Sequence, residues 1–469
     1  MGNEKKNDLT VKYDYVWDRL DEAGRRAVME MGEDYKHFLD ASKTERLCTE
    51  EIVRRAEAHG FRELTSLSTV KPGDKVYSVN RGKGAMLAVI GSEPIVSGMH
   101  IVGSHIDSPR LDLKQNPVYE DSGMTLLKTH YYGGIRKYQW LARPLALHGV
   151  VFCGDGRKVE VHVGDQEGDP VFFISDLPPH LSAEQDKTAL GTAVAGENLS
   201  PVAGTLPEGT ADDSERVERF KQGVLKMLNE KYGIVEEDFV SAELELVPAG
   251  KAYDVGFDRG AVASYGHDDR VCAYAAMEAL FACGQVRRTA VALFVDKEEI
   301  GSMGSTGMQS HYFVNTVGEL IERQSGVCGA LDTARAMAAS SMLSSDVCVA
   351  FDPNYPSVSE QRNNAMLGKG VTLVKYTGSR GKAGANDAHA EFVGEIRRML
   401  NQAGVVWQTS EIGKVDAGGG GTIAYILSNY NMDVLDIGVP VLAMHAPCEV
   451  VSKADVYMTS RAYSAFFES

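Results

Sequence analysis

The sequence VALFVDKEEIGSMGS, residues Val291–Ser305, places an apolar run directly before a cluster of charged residues. The run Val291–Val295 is typical of a buried strand, because an unbroken apolar segment fits a sheet that is covered on both faces. Glu298 and Glu299 follow it closely, and an isolated buried carboxylate costs several kcal/mol unless it is paired or bound. This stretch therefore indicates either a surface turn or a functional site at the end of a core strand.

Similar apolar segments alternate with helical patterns through much of the chain. Strands are predicted at Ala85–Gly91, Gly98–Ser108, Val291–Val295, Val347–Phe351 and Val434–Ile437, with a further apolar run at Val439–His445. Helices are predicted within Tyr15–Gly60, at Asp269–Cys283, at Asn386–Ala403 and from Lys453 onward. This alternation predicts an α/β fold with a mostly parallel central sheet flanked by helices.

The region 111–252 has a different pattern. The segment VVFCGDGRKVEVHVG alternates apolar and polar residues on either side of Asp155-Gly156, which is a strong hairpin signal. The stretch 191–213 is rich in small residues, Gly and Pro, and is predicted to be a surface loop. We therefore predict a catalytic domain formed by residues 1–110 and 253–469, interrupted by an inserted β-rich domain at 111–252.

Composition restricts the classes of partner and compartment. The chain has 469 residues with 65 acidic and 48 basic side chains, and its formal net charge is −17. Such a charge argues against nucleic acid and against an anionic membrane as partners. The cysteines are odd in number and never spaced C-x-x-C, and the amino-terminal residues 1–20 lack the apolar segment of a signal peptide. We therefore expect a cytoplasmic protein.

Two polar segments contain candidate metal ligands. GSHIDSP places His105 and Asp107 two residues apart, which in an extended chain directs both side chains to one face. This pair suits a metal-bound imidazole with a supporting carboxylate, although a hydrogen-bonded histidine would give the same short motif. HDDR places Asp268 and Asp269 before a helix, where an aspartate can also serve as an N-cap.

Three further segments follow apolar runs in the same way. In DKEEIGS, adjacent residues of an extended chain diverge, so Glu298 or Glu299 could bind a metal while the other faces water. SSDVCVAFDPNYP contains Asp346 and Asp352 at opposite ends of a predicted strand, and LAMHAPCE contains His445. In α/β sheets, ligands bind outside the carboxyl ends of strands. Carboxylates with two histidines and without thiolates match two-metal hydrolytic sites that accept Zn²⁺, Mn²⁺ or Co²⁺.

The segments HIDSP, HDDR, DKEEIGS, SSDVCVAFDPNYP and LAMHAP, in this order and spacing, resemble the M18 metallopeptidases, the aspartyl aminopeptidase family. The resemblance extends to YYGGI near Tyr131 and to GGGGTIAYIL at Gly418–Leu427. It implies a metal set of His105, Asp268, Glu299, Asp346 and His445, with Asp268 as the bridging ligand. It also implies that Asp107 orients His105 and that Glu298 is the general base.

The resemblance implies an aminopeptidase with two divalent metal ions, of which zinc is the first expectation. Activated water would attack the first peptide bond of short peptides and release amino-terminal residues, acidic residues among the candidates. The inserted domain would mediate dimerisation, and dimers would assemble into a homo-dodecamer. His180 resembles a histidine that reaches a neighbouring subunit's active site, and Lys375 resembles a substrate-binding lysine.

Two departures from the family pattern lie near segments expected to contact the substrate. FDPNYP has no histidine before PNY, and KVDAGGGGT is richer in glycine than the corresponding family loop. The sequence leaves two alternatives to an aminopeptidase open. One is a related metal-dependent deacylase or carboxypeptidase, which needs a cationic clamp for a substrate carboxylate. The other is a pseudoenzyme assembly that binds peptides without catalysis.

Overall fold

The computed structural model describes residues 9–210 and 217–469 and confirms a mixed α/β fold. The helices predicted within Tyr15–Gly60 are present, and side chains cap the amino-terminal ends of the two long ones. Asp21 accepts a hydrogen bond from the Gly24 amide at 2.8 Å, and Thr44 accepts one from the Leu47 amide at 3.3 Å. The α-helices are Val16–Arg19, Glu22–Ala41, Glu45–Ala58, Leu190–Ala193, Arg219–Tyr232, His267–Ala282, Tyr312–Ser325, Ala330–Ala338, Ala390–Gln402, Ala424–Ser428 and Lys453–Phe467.

A nine-stranded central sheet forms the middle layer. Its strands, in order across the sheet, are Arg62–Glu63, Lys75–Val79, Ala85–Val89, Thr289–Val295, Met99–His105, Ser341–Ser345, Asp433–Gly438, Val371–Val374 and Trp407–Thr409. The four strands from Thr289–Val295 to Asp433–Gly438 run parallel to their neighbours within this group. Their carboxyl ends therefore lie at one edge of the sheet.

The strand Thr289–Val295 is buried along its whole length because both faces of the sheet are covered. Ala290, Ala292 and Phe294 belong to one hydrophobic cluster, whereas the alternate residues Val291 and Leu293 belong to another. This alternation is the two-residue period of a strand. The apolar run in the quoted sequence is therefore shared between two cores, and the charged residues follow where the sheet ends.

A second, seven-stranded sheet is formed by residues between Arg110 and Pro248. Its strands are Arg110–Asp121, Met124–Tyr132, Pro144–Phe152, Lys158–Val163, Phe172–Phe173, Val202–Gly204 and Ala242–Pro248. The last strand pairs with both Arg110–Asp121 and Pro144–Phe152, which closes the sheet on itself. The predicted hairpin at Asp155-Gly156 is confirmed, since Phe152 pairs with Lys158. This sheet has its own core around buried Trp140.

Two sequence predictions need correction. The predicted strand at Val347–Phe351 is confirmed only for Cys348–Val349, which pairs with Pro440–Leu442, whereas the strand of the central sheet in this region is Ser341–Ser345. A search for apolar runs misses this central strand because it contains three serines, even though Ser344 and Ser345 are buried. The stretch 191–213 is not wholly a loop, because Val202–Gly204 pairs in the second sheet; residues 211–213 lie outside the described residues.

A third sheet supports the region beside the carboxyl ends of the central strands. It contains Tyr253–Val255, Ala261–Ser264, Glu449–Ser452, Pro440–Leu442 and Cys348–Val349. A short two-stranded ladder joins Gly378–Ser379 to Gly419–Gly420. Within residues 9–210 and 217–469, none of the helices has the length and apolar character needed to cross a bilayer.

Candidate active site

The predicted metal ligands meet at the carboxyl edge of the central sheet. His105 is the last residue of Met99–His105, and Asp346 directly follows Ser341–Ser345. Glu298 and Glu299 follow the parallel strand Thr289–Val295. Because parallel strands end at the same edge, side chains that are far apart in the sequence become neighbours. His445 and Asp268 are contributed by segments flanking the third sheet and complete the cluster.

Asp268 lies between the two predicted imidazole ligands. Its Oδ1 is 3.1 Å from His105 Nε2, and its Oδ2 is 3.2 Å from His445 Nε2. The Asp268 side chain is only 5% exposed, so both oxygens are held inside the cluster. A carboxylate whose two oxygens face two separate imidazoles has the arrangement that a bridging metal ligand requires.

Each imidazole also faces a second carboxylate. His105 Nε2 lies 3.6 Å from Asp346 Oδ1, and His445 Nε2 lies 3.5 Å from Glu299 Oε1. Glu298 Oε2 is farther away, at 4.0 Å from His105 Nε2. Ligand atoms of His105, Glu298 and Asp346 nevertheless lie within 4.8 Å of one another, so distance alone allows Glu298 to be a ligand.

Asp107 organises the segment that carries the glutamates. Its Oδ1 is 3.3 Å from His105 Nδ1, and its two carboxylate oxygens accept hydrogen bonds from the Glu298 and Glu299 amides at 3.2 Å each. The glutamate segment is a short 3₁₀ turn, Glu298–Ile300, preceded by Lys297 at φ 69°, and is not extended as predicted from the sequence. A single buried carboxylate therefore positions an imidazole and both neighbouring glutamates.

Burial and mutual repulsion dominate the electrostatics of the cluster. Burial, together with nearby aspartates, raises the pKa of Glu298 to about 8, and burial also raises the pKa values of Glu299 and Asp346. Burial disfavours a charged His445, but Asp268 and Glu299 outweigh it and raise the pKa of His445 to about 10. So many acids in a small buried volume need compensating positive charge.

The donor set fits divalent cations. Among the described residues, Glu299 Oε1 is buried without a hydrogen-bond donor, which leaves a lone pair aimed into the cluster. His105 and His445 direct their Nδ1 atoms to oxygen acceptors, at Asp107 and Gly134 respectively, so both Nε2 atoms face the carboxylates. Imidazole nitrogens and carboxylate oxygens are ligands for Zn²⁺, and acceptors at the distal imidazole nitrogen fix its tautomer.

A pocket of about 520 Å³ opens onto this cluster. Its wall away from the predicted ligands is made of neutral residues: Gly134, Gly301, Ser302, Val347, Ile412, Gly419, Gly420, Gly421, Thr422, Tyr425 and Met444. The glycine-rich segment noted in the sequence therefore lines the pocket. Among its described lining residues there is no lysine or arginine.

Two predicted substrate contacts lie elsewhere in this chain. His180 is exposed in a loop that follows the short strand Phe172–Phe173. Lys375 is about half exposed, and its Nζ is 2.7 Å from Asp387 Oδ1. Neither residue lines the pocket described above.

Some positioning groups were not identified from the sequence. Glu449 is buried, and its carboxylate accepts hydrogen bonds from the Asp268 amide at 3.2 Å and the His445 amide at 2.8 Å. Tyr132 and Gly134 contact the site from the second sheet. Glu449 lies within LAMHAPCE and the other two within YYGGI, but only proximity to these motifs could have pointed to them.

Comparisons with known proteins identify the family of the chain. The family model described as aminopeptidase I zinc metalloprotease (M18) matches residues 38–467. A curated protein named as a probable M18 family aminopeptidase 1 of Clostridium acetobutylicum is 51% identical and covers 99% of this chain and 100% of its own length. The crystal structure of the M18 family aminopeptidase of Thermotoga maritima superposes with a TM-score of 0.94, at 42% identity, covering 98% of this chain and 100% of that one.

A more distant structure shares the fold alone. The Saccharomyces cerevisiae mApe1 dodecamer has a TM-score of 0.75 at 19% identity, and the match covers 94% of this chain and 97% of that chain. The family match and the close relatives, which span nearly the whole chain, decide the classification. This chain belongs to the M18 family of zinc metalloproteases and is a metal-dependent aminopeptidase.

Proposed function

We propose that the enzyme removes single residues from the amino terminus of short peptides with two zinc ions, both of which Asp268 would help to hold. His105 and Asp346 would hold one ion, and His445 and Glu299 the other. The observation that carries this assignment is Asp268, whose two oxygens face the two imidazoles at 3.1 and 3.2 Å. Mn²⁺ and Co²⁺ accept the same ligand types and remain candidate cofactors.

Zinc supplies Lewis acidity, which lowers the pKa of water and polarises a carbonyl. Glu298 is proposed as the general base: it takes a proton from the attacking water and returns it to the nitrogen of the leaving amine. Its side chain is 17% exposed, against 4% for Glu299, so it has the better access to water at the pocket. Asp107 holds the Glu298 amide and orients His105.

The substrate's free amine would be attracted by the carboxylates at the base of the pocket. A neutral first side chain fits the wall formed by Val347, Ile412 and Met444 better than an acidic one, since the described lining offers no cation. The described lining residues also include no cation that could bind a substrate carboxylate, as a carboxypeptidase needs. We therefore propose peptides with a neutral, apolar amino-terminal residue as the preferred substrates.

The family resemblance and the separate, closed second sheet support a proposal about domains and assembly. We propose that residues 111–252 form an inserted dimerisation domain, that residues 1–110 and 253–469 form the catalytic domain, and that dimers build a homo-dodecamer. The dodecameric state of the yeast mApe1 structure supports this proposal. Exposed His180 would then reach the active site of a neighbouring subunit, and Lys375 would contact the substrate outside the pocket that receives the first side chain.

We further propose a cytoplasmic location without nucleic-acid or membrane partners. All seven cysteines are unpaired, which fits a reducing compartment. The formal net charge of −17 disfavours binding to polyanions.

A substrate panel tests the proposed activity. Leucyl, methionyl, aspartyl and glutamyl p-nitroanilides are assayed after chelation and again after addition of Zn²⁺, Mn²⁺ or Co²⁺. We expect activity only with added metal, and faster release from the neutral substrates. Peptides with an acetylated amino terminus are the matched control and should not be cleaved. Efficient cleavage of the acetylated peptides would favour a deacylase or another amide hydrolase, and activity in metal-free protein would refute the proposal.

A further inference from the structure

The segment Tyr132–Gly134 ends the strand Met124–Tyr132 of the second sheet and enters the active site. It contains none of the predicted metal ligands. Tyr132 nevertheless contacts Asp107, the carboxylate next to His105. Gly134 contacts the imidazole of His445 directly. A single short segment therefore contacts both halves of the cluster, and it comes from the sheet that forms the insertion.

The contact to the first imidazole passes through Asp107. The Tyr132 hydroxyl donates a hydrogen bond to Asp107 Oδ2 at 2.8 Å, and Asp107 Oδ1 faces His105 Nδ1 at 3.3 Å. The Arg110 guanidinium packs over the face of the Tyr132 ring, 3.9 Å from the ring centre, in a cation–π contact. Arg110 is itself ion-paired with Glu245 at 3.1 Å, so the phenol has a rigid support.

The contact to the second imidazole is direct. The Gly134 carbonyl lies 2.8 Å from His445 Nδ1, and a carbonyl can only accept a hydrogen bond. His445 Nδ1 must therefore carry a proton, so that in the neutral imidazole that binds a metal the Nε2 lone pair faces Asp268 and Glu299. This is the tautomer that a metal ligand needs.

The glycines allow this close approach. A Cβ on Gly134 would lie 3.2 Å from His445 Nδ1, and a Cβ on Gly133 would lie 3.2 Å from Glu299 Oε2. Gly133 also has a φ of 73°, in the left-handed region that side chains with a Cβ rarely adopt. A Cβ at either position would therefore press on a ligand and displace it by a few tenths of an ångström.

We propose that Tyr132–Gly134 is a positioning segment, through which the inserted sheet sets the orientation and tautomer of both imidazole ligands. Tyr132 acts on His105 through Asp107, and Gly134 acts on His445 through its carbonyl. This inference rests on the proposed two-metal function. It adds that the insertion serves the catalytic centre of its own chain in addition to any role in assembly.

Tyr132→Phe tests the first contact, with Tyr131→Phe on the same strand as the matched control. Zinc affinity of the metal-free proteins is measured by competition with a chromophoric chelator, and coordination is monitored by the visible absorption of the Co²⁺ forms. We expect Tyr132→Phe to weaken one of the two zinc sites about 10–100-fold. The Co²⁺ spectrum should change, and kcat should fall more than KM changes. The Tyr131→Phe protein should keep the affinity and spectrum of the unmodified enzyme.

Gly134→Ala tests the second contact, and it tests the positioning role on its own if Tyr132→Phe does not fold. We expect it to weaken the other zinc site and to leave the far-ultraviolet circular dichroism of the metal-free protein unchanged. Zinc affinity and a Co²⁺ spectrum equal to those of the unmodified protein in the folded variants would overturn the inference alone. Failure of the unmodified protein to bind zinc would overturn the proposed two-metal function as well.

Discussion

Glu298 and Glu299 are adjacent in the chain, yet their isosteric glutamine variants should fail in different ways. Glu298→Gln removes the proposed base and keeps the proposed ligands, so we expect it to retain zinc and lose turnover. Glu299 Oε1 is buried, lacks a hydrogen-bond donor among the described residues and lies 3.5 Å from His445 Nε2. Glu299→Gln removes an anionic ligand, so we expect zinc to be lost first and activity as a consequence.

The expected size of the Glu298 effect follows from its role in proton transfer. A positioned general base contributes about 10²- to 10⁴-fold, or about 3–5 kcal/mol of activation free energy. The assay measures kcat and KM for leucyl p-nitroanilide, and zinc content is measured on the same samples by elemental analysis. Turnover within threefold of the unmodified enzyme in zinc-loaded Glu298→Gln would refute its role as base. Loss of zinc from that variant would instead identify Glu298 as a ligand.

The remaining predictions concern structural support and pH. Glu449→Leu removes the acceptor shared by the Asp268 and His445 amides, so zinc affinity measured by chelator competition should fall; an unchanged affinity would contradict this role. Burial, with nearby arginines, lowers the pKa of His100 to about 4. Between pH 6.5 and 4, His100 is therefore neutral in the native state but protonated in the unfolded state. Stability should therefore fall as pH drops from 6.5 to 4, by up to about 3 kcal/mol from this group. His100→Phe should lessen that loss, whereas the control His311→Gln, at an exposed position, should not. Stability is measured by urea unfolding of the metal-free protein at fixed subunit concentration. Equal pH dependence in both variants would contradict the prediction.

Much of the catalytic sheet can be predicted from the sequence because its apolar runs are long and end abruptly in acids or histidines. The run before Glu298 is the clearest example, since alternate residues of Thr289–Val295 enter two different cores. The terminal helix is also predictable, and its observed start at Lys453 agrees with the expectation. The metal residues can be proposed from the sequence only as a set, because each short motif alone has an ordinary capping or surface explanation.

The remaining features depend on tertiary contacts that leave little local signal. Ser341–Ser345 is a central strand despite its serines, because neighbouring strands on both sides supply its pairing. The turn at Glu298 depends on the Asp107 carboxylate, which accepts two amides from a distant part of the chain. Tyr132 is identified as a positioning residue only after the second sheet is seen to reach the active site.

The most direct measurement is an anomalous diffraction map of the zinc-loaded enzyme, recorded on both sides of the zinc absorption edge. We predict two peaks per chain, one on each side of the Asp268 carboxylate, with His105 next to one and His445 next to the other. Peaks elsewhere in the chain, or no zinc peak within this cluster, would contradict the two-metal account.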